Sequence, residues 1–221
     1  MNTLEITTRT QLKRAKERGN FDRSVINDIL DDGVICHVGY VVEGRPVVIP
    51  TCHWRDGDSV YWHGSRLSRT MLDTENADVC VTVTHLDGLV LARSAFHHSA
   101  NYRSVVVFGR PEIVDNSEEK AAALKTFVDG LFPGRWNQLR PMSRKEADAT
   151  TVLRLPISEA SAKVRQGEPS DLDDDLTHPV WAGVIPVSIQ AGTPEVASDM
   201  TMEMPVPASL EDYRYGKDRE N

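Results

Sequence analysis

From residue 34 onward the apolar positions recur mostly every second residue, not every third or fourth. VICHVGYVV (34–42), RPVVIPTCHW (45–54) and SVYWHG (59–64) are rich in β-branched and aromatic residues. Glu43-Gly44 and the run Arg55 to Asp58 separate them, which predicts a three-strand meander. After a polar stretch at 66–75 the pattern resumes in DVCVTVTHL (78–86), LVLARSAF (89–96) and YRSVVVFGRPEIV (102–114), with a turn predicted at Asp87-Gly88 and a break at 99–101. A last run, TTVLRLPI, covers 150–157.

Helical spacing is confined to shorter pieces. Val25, Ile26, Ile29 and Leu30 fall on one helical face between Asp22, the expected N-cap, and Gly33, the expected C-cap. Helices are also predicted over 66–75, from Ser117 to about Gly130 and over 143–149. Six or seven strands with one helix between the third and fourth describe a mainly β chain, an antiparallel barrel with peripheral helices. The alternation of a parallel nucleotide-binding fold is missing, and no GxGxxG follows a strand.

The ends differ from the middle, and three segments are expected: an arm at 1–20 that orders only against something else, a domain at 21–190, and a tail at 191–221. A net charge of −8 argues against nucleic acid as partner. No apolar run reaches the roughly 18 residues that cross a bilayer, so a cytoplasmic protein is expected. Cys36, Cys52 and Cys80 lack CxxC spacing and read as reduced thiols. In Cys36-His37 and Cys52-His53 the paired side chains leave a strand by opposite faces, so no metal site is expected.

Two polar clusters carry candidate chemistry. In YWHGSRLSRTM a strand ends at His63-Gly64, and a helix opening at Ser65 would direct its N–H groups, with Ser68 and Arg69, toward a phosphate. The same residues would also serve as an ordinary cap with an exposed arginine. RSAFHHSANYRS (93–104) concentrates donors at a strand connection and reads as a ligand or interface segment, or as a solvated hairpin end.

The blocks 18–71 and 85–112, with EASAKVRQG and VWAGVIPV, resemble the pyridoxamine-phosphate-oxidase-like FMN-binding proteins, near their nitroimidazole-reductase-like branch, over about 16–188. The resemblance implies a six-stranded antiparallel Greek-key split β-barrel and a homodimer with FMN at the subunit interface. It points to Val48, Ile49, Pro50 and Thr51 for the flavin ring, to His63, Gly64, Ser65, Ser68 and Arg69 for its phosphate, and to Asn101, Tyr102 and Arg103 from the opposite subunit. Trp181 would flank the ring or plug the core. The Arg-x-His element of true pyridoxamine phosphate oxidases is not found after Thr150. A flavin reductase or nitroreductase-like activity on a small acceptor, with NAD(P)H as donor, is therefore expected, with His53, His97 and His98 as candidate catalytic histidines. Rival readings are a noncatalytic flavin or haem carrier and a regulatory dimer that binds neither.

Overall fold

The computed structural model describes residues 3–75, 77–202, 204–211 and 213–216. Its elements in chain order are β1 (Gly19–Asn20), α1 (Arg23–Asp32), β2 (Ile35–Val42), β3 (Arg45–Asp56), β4 (Ser59–Ser65), α2 (Arg69–Thr74), β5 (Val79–Leu91), β6 (Ser99–Gly109), β7 (Glu112–Ile113), α3 (Ser117–Leu131), α4 (Arg144–Ala149), β8 (Thr150–Pro156), β9 (Glu159–Arg165), β10 (Gly183–Pro186) and α5 (Ala208–Glu211). The strands form one antiparallel sheet in the order β1-β9-β6-β5-β2-β3-β4-β8-β7, with β10 added beside β5. The mainly β class and split-barrel type agree with expectation, but the described residues form ten strands instead of six.

Alternation along the strands builds the interior. Val38 and Tyr40 of β2, Val60 and Trp62 of β4, Val81 and Val83 of β5, and Leu153 and Leu155 of β8 join one buried cluster, which α1 closes with Ile26, Ile29 and Leu30. A second buried cluster, centred on Trp54, Val114 and Leu124, lies between the sheet and α3. Glu43 and Gly44 both have positive φ, 49° and 74°, as a two-residue turn between twisted strands requires. Gly33 is needed for a different reason. Its backbone is extended and it does not cap in the left-handed form, yet a Cβ there would come within 2.9 Å of Val83.

Three local expectations change. Ser65 does not cap a helix: it pairs with Thr150 across β4–β8, and Arg66 N–H donates to the Ala149 carbonyl at 2.8 Å. The chain therefore stays in the ladder, and α2 starts only at Arg69 with Ser68 in the cap position. Asp87-Gly88 is a bulge inside one thirteen-residue strand, because β6 runs beside both halves of β5 and the register slips between Leu86 and Gly88. The N-terminal arm docks on its own barrel. Leu4 enters the core, and Arg9 pairs with Glu159 and Asp78. Of the tail, 203, 212 and 217–221 lie outside the described residues.

Candidate functional site

Two regions gather the chemistry. At the first, β3 pairs with β2 along Arg45–Cys52 but meets β4 only from His53 onward. One backbone edge of Val48, Ile49, Pro50 and Thr51 is thus unpaired among the described strands, and proline suits such an edge. Val48 is 62% exposed. The strand order β6-β5-β2-β3 places this edge three strand spacings from β6, about 14 Å. Pro50 aligns through His37 and Thr82 with Val106, so Asn101 to Arg103 lie a further three to five residues along, about 10 to 17 Å. One chain does not bring these two predicted groups together.

Most of the predicted donors in 93–104 already have partners in their own chain. Asn101 accepts from Arg165 and donates to the Gly167 carbonyl at 3.1 Å. Arg103 forks onto Asp87 at 2.9 to 3.2 Å and reaches Asp32 at 2.8 Å, tying β6 to the bulge and to the end of α1. Arg103→Met is expected to lower stability by about 2 kcal/mol, since both carboxylates lose the guanidinium. Arg103→Lys should recover only part of this, because an ammonium does not fork; urea unfolding midpoints measure both. Tyr102 is half-buried.

The three candidate histidines lie in different settings. His53 is buried under α1, where its Nε2 meets the Leu30 carbonyl at 3.0 Å. His97 Nδ1 bonds Ser94 Oγ at 2.9 Å, and His98 Nδ1 meets the Ser94 carbonyl at 2.9 Å. His97, Asp171 and Asp175 bring ligand-capable atoms within 4.8 Å of one another. Arg93, however, holds both oxygens of Asp171 through its backbone N–H and guanidinium, and this positive charge opposes a cation. We assign the group to the ion-pair network that joins 93–97 to 171–175. Trp181, 63% exposed, lays its ring over Gly183, where a Cβ would come within 2.8 Å. Arg69 is 81% exposed, with Asp73 beside it at 3.4 Å. Cys36 is a buried thiol that burial raises to about 12.

The second region was not foreseen. His63 and Gly64 leave β4 on opposite faces: Gly64 abuts Met71 of α2, whereas His63 faces the outer cluster under α3. Its ring lies 5.2 Å from Phe127 and 5.8 Å from Trp54, and Trp54 stacks on Tyr61 at 5.6 Å. His63 lines a cavity of about 730 Å³ with Phe127, Val128, Trp136 and Met142, while Arg140 and Glu146 pair there. The Nδ1 of His63 is buried without a hydrogen-bond partner, and burial lowers the pKa of the ring. A neutral imidazole lining an apolar cavity of this size is suited to a metal-centred ligand. The sequence signal was the alternation Tyr61-Trp62-His63, which sends His63 away from the core. The facing wall, Leu124 to Thr150, comes from far later in the chain, which local pattern does not connect.

Comparison with known proteins places the chain. The family model described as pyridoxamine 5'-phosphate oxidase matches residues 22–164. The flavocytochrome Anf3 of Azotobacter vinelandii is 44% identical over 95% of this chain and 98% of its own, with a TM-score of 0.91. The FAD and heme binding protein of Mycobacterium smegmatis is 37% identical over 90% and 98%, with a TM-score of 0.85. At 23% identity and a TM-score of 0.55, over 65% of this chain and 84% of the other, the likeness to a protein assigned to 5-nitroimidazole antibiotic resistance in Bacteroides thetaiotaomicron is one of fold alone. No curated protein matches.

Proposed function

The chain belongs to the pyridoxamine 5'-phosphate oxidase family, and from that premise we propose that it is a redox protein carrying a flavin and a haem. The observation that carries this reading is the near full-length likeness to two proteins known as a flavocytochrome and as an FAD and heme binding protein, at 44% and 37% identity. The likeness to the Mycobacterium smegmatis protein favours FAD over the FMN that the sequence resemblance implied.

The residues present fit both groups. The unpaired edge of Val48 to Thr51 offers backbone N–H and C=O groups to the rim of a flavin ring, and Trp181 offers an exposed aromatic face. Ser68 and the exposed Arg69 are available to a phosphate. A homodimer in which Tyr102 of one copy, held between the engaged Asn101 and Arg103, completes the edge of the other accounts for the separation of these groups within one chain. When bound, the flavin supplies hydride chemistry and the haem single-electron chemistry. The protein's share is to hold each ring, exclude water and choose the partners, with a reduced nicotinamide as proposed donor and a small molecule as acceptor. No described helix is long and apolar enough to cross a membrane.

Purified protein is expected to show flavin and Soret absorbance, to release FAD on denaturation and chromatography, and to scatter light as twice the chain mass. Anaerobic mixing with NADH or NADPH should bleach the flavin; a flavin that neither nucleotide reduces would leave a carrier and remove the enzymatic reading. Colourless protein with no saturable flavin uptake would overturn the proposal.

A further inference from the structure

Resting on the haem half of that reading, we infer that His63 is the axial ligand of the haem and that the cavity beneath α3 is where the macrocycle lies. The geometry distinguishes His63 from the other histidines. His53 and His85 are tied to the Leu30 and Ile29 carbonyls, and His97 and His98 to Ser94. His37 and His178 are exposed on the surface. His63 alone among the seven lines the cavity, and no cysteine does.

The surroundings suit a flat apolar ring. Phe127 and Trp54 hold the imidazole by tilted contacts at 5.2 and 5.8 Å, fixing its plane without a hydrogen bond. The walls are mostly aliphatic and aromatic, and a volume of about 730 Å³ falls in the range of cofactor sites. An isoalloxazine ring, with several hydrogen-bonding atoms on its rim, would leave them unpaired against such walls. Arg140 supplies a cation that can meet a carboxylate arm of the ring in exchange for Glu146.

The test uses the full chain, with haem and flavin counted separately. His63→Ala is expected to weaken hemin binding at least tenfold, to displace the Soret band and to leave FAD per chain unchanged. Adding imidazole to His63→Gly should restore the band. Val128→Trp, which fills the cavity and keeps His63, should also lose haem and keep flavin, so a decision does not depend on the His63 variants folding; circular dichroism checks all three. Haem retained in these variants with an unmoved Soret band would overturn the assignment and leave the proposed function standing. Wild-type protein that holds flavin but takes up no hemin would overturn both the assignment and the haem half of that function.

Discussion

Replacing Trp62 by alanine is expected to cost about 4 kcal/mol, the range for truncating a large aromatic side chain in a packed core. Trp62 is 0% exposed and belongs to the main buried cluster. It also holds a register. With Val60 and Trp62 facing inward, Tyr61 and His63 must face α3, so loss of the inward anchor loosens the strand that aims His63. The indole has a cost of its own, because its Nε1 is buried without a partner. Trp62→Phe removes that donor along with some volume and should cost only about 1 to 2 kcal/mol. Urea unfolding followed by circular dichroism separates the two variants. Equal losses for phenylalanine and alanine would show that shape outweighs the unpaired donor.

Lowering the pH from 7 to 4 should remove about 3 kcal/mol through His53 alone. Burial lowers its folded-state pKa from 6.5 to about 4, so the unfolded chain takes up the proton first. The stability from a neutral His53 is complete above about pH 6.5 and is lost as the pH falls toward 4, at about 1.4 kcal/mol per unit of pKa difference. The cause is local. His53 is 2% exposed, its Nε2 sits against the Leu30 carbonyl at the end of α1, and its Nδ1 has no partner. His63, also lowered by burial, acts in the same direction. The carboxylates lowered by their bonds, Glu159 beside Arg9 and Asp129 beside Lys125, lose their contributions only as they protonate, mostly below this window. Urea unfolding between pH 7 and 4.5 should show a steeper decline for wild type than for His53→Gln, and parallel curves would refute the assignment to His53.

Much of the barrel was legible because its determinants are short-range. A strand such as 34–42 needs only alternating side chains and a turn, and Glu43-Gly44 carries that turn. Helix α4 was equally readable: Ser143 and Glu146 satisfy each other's backbone N–H groups as a capping box, whatever surrounds them. The missed elements depend on partners. β9 and β10 lack strong alternation and are strands because β6 and β5 offer open edges beside them. Asn116, not Ser117, caps α3 by accepting from the N–H groups of Glu118 and Glu119.

The phosphate motif shows the same division. Reading Ser65 as a cap was reasonable locally, yet seven consecutive pairs with β8 extend the strand through it. Arg103 likewise reads as a ligand donor by type, and only the fold brings Asp87 and Asp32 to it.

What the residues determine unaided is the mainly β class, the order of the meander, helix α1 and the family, since each rests on periodicities and turns spanning fewer than a dozen positions or on long matching blocks. Only the tertiary structure decides what stands opposite His63, which donors are already engaged, and which stretch of β3 keeps an open edge. Those outcomes depend on hydrogen-bond pairing and burial between segments far apart in the chain, where a backbone or side chain takes the partner that folding delivers.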